Sequence, residues 1–219
     1  MRGFAYDIAH LLGGGMLAVS FALLYQSRVY AVLRAFALHA FLLATAVAWQ
    51  AYAQHAPHLY VTAGIALVFK AIIIPVALHR IIERLAIHRE VETVIGVGTT
   101  MLAGVGLVAL SIAVVLPITT SSGALARDDL ALAMSVILLG LLMMITRRNA
   151  VTQVVGFMSL ENGLILAAAG VNGMPLVVEV SVAFAVLIAF VVFGLFFFRI
   201  RERFDSLDVR ALERFRGER

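Results

Sequence analysis

Arg147-Arg148-Asn149 opens the stretch on which the reading of this chain turns. An apolar run from Ala150 to Gly170 follows, broken once by Glu161-Asn162-Gly163. Then come a turn, Asn172-Gly173-Met174-Pro175, and a second apolar run that begins around Glu179. As a helix rising about 1.5 Å per residue, the first run is long enough to cross a hydrocarbon layer ~30 Å thick. Glu161 then falls near the middle of the layer. A charged side chain there costs about 2.5–3.5 kcal/mol on insertion scales, a cost that a purely structural helix has no reason to carry.

The rest of the chain has the same character. Of its 219 residues, 63% are apolar and 14% charged, against roughly 25% charged in soluble domains. Apolar runs of helix-spanning length recur, which predicts an all-α, multi-spanning membrane protein. There is no cysteine, which excludes disulfides, iron–sulfur ligation and nickel–iron thiolates within the chain. The six histidines lack the spacing of a metal-binding helix, so no metal or cofactor site is expected in this chain. A cleavable leader is not expected, because Asp7 and His10 interrupt the charged-then-apolar order of one.

Seven apolar segments can be drawn, at about 8–25, 30–52, 59–79, 94–118, 130–146, 150–170 and 176–198. An amphipathic stretch (80–93) and a Thr/Ser/Gly loop (119–129) separate some of them, and a charged tail (199–219) follows. Sorting Lys and Arg by side, with Lys70 left out as intramembrane, puts only Arg2 and Arg127 on the N-terminal side. The other side holds Arg28, Arg34, Arg80, Arg84, Arg89, Arg147, Arg148 and seven tail arginines. Cytoplasmic loops carry such an excess, so the N-terminus is expected outside and the C-terminus in the cytoplasm. The basic balance, +4 overall, is thus accounted for by topology and not by nucleic acid.

Within the segments, Gly13-Gly14-Gly15 and the stripe Gly96, Thr100, Gly104 suit close helix packing. Ser181, Ala185 and Ala189 form a third such stripe. Segment five, featureless Leu, Met and Ile, is expected to face lipid or a neighbouring subunit, and Pro117 to end segment four. Segment two carries His39 and Gln50; His39 reads as a packed hydrogen-bonding residue or a proton relay.

Segment three holds Lys70 at mid-depth, with Pro75 five residues later. Pro75 leaves the Ala71 carbonyl without its helical partner, which favours a kink beside the lysine. Lys70 and Glu161 each lie 11 residues inside their segments, counted from 59 and from 150, so they should share a depth. Spacing does not decide whether they share a face. If they meet, each favours the charged form of the other while desolvation opposes it, a balance that lets a group titrate. Glu161 and Lys70 are therefore the leading candidates for proton movement, with a permanent structural ion pair as the alternative. Glu179, about one turn inside segment seven, reads either as an exit-side proton site or as a residue reaching headgroup water.

Arg147-Arg148-Asn149, Gln153, Gly156, Glu161-Asn162-Gly163, Pro175, Glu179 and Leu207-Asp208-Val209 together resemble the C-terminal part of the hydrogenase-4 component E family. Lys70 followed by Pro75 matches a Lys and Pro in an earlier helix of that family, so the resemblance extends over most of the chain. The last three helices are similar to the K subunit of respiratory complex I, with Glu161 at its buried glutamate, and more distantly to the C subunit of multi-subunit cation/proton antiporters. On this basis the chain divides into a four-helix region (1–129), a three-helix K-subunit-like region (130–198) and a cytoplasmic tail (199–219). One departure concerns the last helix, where Ala185 stands near the position of a further acidic residue in relatives, so a two-carboxylate relay is not expected.

The resemblance implies a non-catalytic membrane subunit of a formate hydrogenlyase-type or related energy-converting hydrogenase, in a bacterial or archaeal cell (inner) membrane. Implied partners are antiporter-like proton-channel subunits, a membrane anchor resembling the complex I H subunit, and soluble subunits with iron–sulfur clusters and, in hydrogenases, a nickel–iron centre. Glu161 would relay protons with Lys70, Glu179 and His39. Two rivals remain at this point: a structural anchor subunit without transport, and a component of a multi-subunit cation/proton antiporter.

Overall fold

The structure, a computed structural model, describes residues 2–84, 94–118 and 124–170. The seventh apolar segment with Glu179, the tail and most of the amphipathic stretch lie outside the described residues. Within them the chain is helical: α1 (Arg2–Tyr25), α2 (Val29–Ala53), α3 (His58–Ile65), a π-helical segment (Ala66–Ile73), α4 (Ile74–Arg84), α5 (Val97–Ile118), α6 (Ala124–Thr146) and α7 (Ala150–Gly170). α3, the π segment and α4 run on as one element, the third span. Among the described residues, six helices are long and apolar enough to cross a membrane, and they match the first six segments drawn from the sequence. Pro117 stands inside the last turn of α5, one residue before its final residue, Ile118.

The fifth segment was expected to face lipid or a neighbouring subunit; among its described side chains it faces outward only along Met134, Leu141 and Ile145. That segment is α6, which packs against α1, α5 and α7. Its Ala133, Val136, Leu139 and Met143 are buried, and Ser111 of α5 donates to the Ala131 carbonyl. Apolar composition suits lipid and helix neighbours alike. Small residues mark the difference, because they let backbones approach. A Cβ on Gly140 would lie 2.8 Å from the Leu160 Cα, and one on Gly163 would lie 2.9 Å from the Ile137 nitrogen. Gly140, Gly156 and Gly163 thus form a seam along which α6 and α7 meet backbone to backbone. The other expected stripes hold in part: Gly13 abuts Leu132 and Gly104 abuts Phe21 and Leu139, whereas Gly14 and Gly96 face open space.

Two apolar clusters fill the bundle. One gathers Leu23, Leu24, Phe36, Leu78, Met143, Val155 and Met158; the other gathers Met16, Leu43, Val47, Leu59, Val136 and Leu166. On four elements the boundary between the clusters falls on polar residues: Ser20 on α1, His39 on α2, Lys70 on the third span, and Glu161 and Asn162 on α7. All five are buried. The fold therefore sandwiches a polar layer between two dry ones.

Candidate functional site

Lys70 reaches this layer because of the π segment. Thr62, Ala66, Lys70, Ile74, Leu78 and Ile82 are buried at every fourth position, while Val68, Phe69, Ile72 and Ile73 are exposed. In an α-helix a period of four drifts about 40° per step, so the stripe would wind off the core. Wider π turns reduce that drift. Pro75 has no N–H to continue the α ladder, and the neighbouring Ile74 N–H bonds the Phe69 carbonyl five residues back. Beside the proline lies a π segment that keeps Lys70 on the core face.

Glu161 arrives from the other direction. It lies two residues before Gly163, about 200° around α7, so the glycine seam that faces α6 turns Glu161 away from it. The Lys70 Nζ stands 3.0 Å from Glu161 Oε1, with both side chains nearly inaccessible. The same Nζ donates to Asn162 Oδ1 at 3.0 Å. Asn162 Nδ2 meets His39 Nδ1 at 3.0 Å, His39 Nε2 meets Ser20 Oγ at 3.0 Å, and Ser20 donates to the Met16 carbonyl. Among the described residues, Glu161 Oε2 has no hydrogen-bond partner. Two buried opposite charges lose several kcal/mol of hydration each, so the pair persists only because geometry and Asn162 compensate. A proton can pass between Nζ and Oε1 over one short step, which neutralises both groups without moving heavy atoms.

Of the four relay candidates, the structure brings together three, Lys70, Glu161 and His39; Glu179 lies outside the described residues. Sequence reasoning missed Ser20 and gave Asn162 no role of its own. The available signal for Asn162 was its position beside a buried acid. Two further polar groups were also missed. Asp129 is buried on α6 and accepts from Gln50 at 2.8 Å, and Gln54 bonds both Gln50 and the Ala169 carbonyl.

The second is Arg147, only 1% exposed, whose Nη2 donates to the Leu23 and Leu24 carbonyls in the last turn of α1. Asn149 caps α7 by accepting from the Val151 N–H, and Gln153 returns to the Arg147 carbonyl. The Arg-Arg-Asn motif therefore joins α1, α6 and α7. Among the described residues, no three His, Asp or Glu side chains gather as a metal ion would need.

The fold and its buried layer define a multi-pass helical membrane protein with an intramembrane ion pair. The chain belongs to the same family as the uncharacterized protein Rv0085 of Mycobacterium tuberculosis, to which it is 30% identical over 159 residues, 71% of this chain and 72% of that protein. No family model and no solved structure matches it.

Proposed function

We propose that this chain is a non-catalytic membrane subunit of an energy-converting hydrogenase or complex I-like assembly, in which Glu161, paired with Lys70, moves protons. The observation that supports this most is the Lys70–Glu161 pair, held at 3.0 Å between two apolar clusters, with one carboxylate oxygen unpartnered among the described residues. Low dielectric makes the pair sensitive to any neighbouring change of charge. Soluble partners carrying iron–sulfur clusters, and a nickel–iron centre in a hydrogenase, would supply the redox energy. Antiporter-like subunits and an H-subunit-like anchor would carry protons onward. The seventh span and the cytoplasmic C-terminus belong to this reading, as does Glu179 as an exit-side acid. A single carboxylate whose partner is an ammonium, with no cage of oxygens among the described residues, suits H⁺ better than Na⁺.

Purification of the tagged chain from its native membrane tests the assembly. Co-purifying soluble subunits that contain iron support the proposal. Partners devoid of iron contradict it and favour the cation/proton antiporter reading.

A second reading treats the pair as a permanent clamp between the third span and α7. It is favoured by the continuous hydrogen bonding from Lys70 to Ser20, which would hold four elements in register. A charge swap, Lys70→Glu with Glu161→Lys, separates the two: pumping retained supports the clamp, and pumping lost supports the relay.

A further inference from the structure

The hydrogen bonds between Lys70 and α1 can be assigned a direction. An ammonium has three donors and no acceptor, so the Asn162 atom 3.0 Å from Lys70 Nζ must be Oδ1. The amide Nδ2 then faces His39 Nδ1 at 3.0 Å, and because Nδ2 only donates, Nδ1 must accept. An imidazole with a free lone pair at Nδ1 is neutral and carries its proton on Nε2. That N–H points at Ser20 Oγ, 3.0 Å away, and the Ser20 hydrogen goes to the Met16 carbonyl at 2.9 Å. Each assignment forces the next, and the whole chain donates in one sense, from Lys70 towards α1.

We propose that Asn162 is a positioning residue that transmits the charge of Lys70 to His39, holding His39 as the neutral Nε2–H tautomer while Lys70 is an ammonium. This deepens the relay reading and rests on it. When a proton passes from Lys70 to Glu161, an N–H bond breaks at Nζ and an O–H bond forms at the carboxylate. Lys70 becomes an amine whose lone pair first accepts the new Glu161 O–H. Once Glu161 passes that proton on, its carboxylate accepts an amine N–H again, and rotation about Cε–Nζ turns the lone pair towards Asn162, from which it can accept. Asn162 is then free to present either its oxygen or its nitrogen to Lys70. With the amide reversed, Oδ1 faces His39 and the ring holds its proton at Nδ1. Exchange with water admitted as the helices part removes one proton from Nε2 and delivers one to Nδ1, so the charge of His39 does not change. Nε2 then accepts from Ser20, whose hydroxyl leaves the Met16 carbonyl. The state of the ion pair is thereby read on α1 at Ser20, three side chains beyond the pair.

This assigns His39 a different part from that of a proton carrier. In the ion-paired state both its nitrogens are committed, and it holds the chain in one sense.

Nitrogen-15 NMR of the full-length protein, ring-labelled at histidine and reconstituted in nanodiscs, tests the proposal. The His39 signals are assigned by their loss in His39→Gln. The expected wild-type result is a single tautomer protonated at Nε2. Lys70→Arg, which also only donates, keeps that tautomer, whereas Lys70→Gln yields both, because an amide facing Asn162 can satisfy either orientation. Wild-type His39 protonated at Nδ1, or doubly protonated, overturns the proposal even if neither variant folds. An unchanged single tautomer in folded Lys70→Gln overturns it as well. A clamp without signalling leaves the tautomer untouched, and proton exchange at Glu161 is read separately by its carboxyl infrared band, so either idea can fail without the other.

Discussion

Lys70 and Glu161 face each other at 3.0 Å in a layer closed on one side by Leu, Phe and Met and on the other by Leu, Val and Met. Removing one member leaves an uncompensated buried charge. Lys70→Met or Glu161→Leu should each destabilise the protein by about 3–5 kcal/mol, and the double substitution should recover most of that loss. Unfolding in detergent by SDS titration measures all three variants. Single variants as stable as the wild type would mean that the two charges do not depend on each other.

The α6–α7 seam has a sharper steric signature. A methyl group on Gly140 would meet the Leu160 backbone, which cannot swing aside as a side chain could. Gly140→Ala should cost about 1–3 kcal/mol through overpacking. Gly106→Ala, exposed on α5 with nothing within 4 Å, should be close to neutral. Thermal stability of the two purified variants makes the comparison. Equal effects would argue against the close approach of the two helices.

Adjacent arginines should differ in the same way. Arg147 is buried and bonds two carbonyls of α1, whereas Arg148 is half-buried. Hydrogen bonds to a charged group contribute about 1.5–3 kcal/mol each, and a lysine cannot reproduce the guanidinium fork. Arg147→Lys should therefore lower the unfolding midpoint clearly, and Arg148→Lys should leave it within error. The same detergent titration reads both.

Much of this architecture was legible in the residues, for identifiable reasons. Span length and apolarity are properties of single segments, so six of the drawn segments recur as helices. The equal depth of Lys70 and Glu161 followed from counting residues along two such segments. Which face each side chain takes was not legible, because it depends on the π segment that rotates Lys70 and the glycine seam that orients Glu161. The near-uniform apolarity of 59–79 carried no sign of the former; Gly156 and Gly163, seven apart, were a readable sign of the latter. The role of α6 was lost because Leu-rich sequence looks alike whether lipid or protein covers it. Ser20 and Asp129 gave no periodic signal at all.

The absence of cysteine makes the proposed orientation simple to test. Single cysteines introduced as Ser27→Cys, in the turn between α1 and α2, and Ala53→Cys, at the far end of α2, lie at opposite ends of one helix. With the N-terminus outside, a membrane-impermeant maleimide added to intact cells should label the Ala53→Cys variant and spare the Ser27→Cys variant until the cells are opened. The reverse pattern would invert the topology and undo the sorting of arginines.

The central claim is that Glu161 gains and loses a proton inside the bundle. Infrared difference spectroscopy of the assembly, reduced against oxidised, reads this directly from the carbonyl stretch of a protonated carboxyl group. The expected result is a band shifted to high frequency by its apolar surroundings, present in the wild type, moved in Glu161→Asp and absent in an intact Glu161→Gln assembly. A wild-type spectrum without such a band, or one unchanged in Glu161→Gln, would contradict the claim and leave the pair as a clamp.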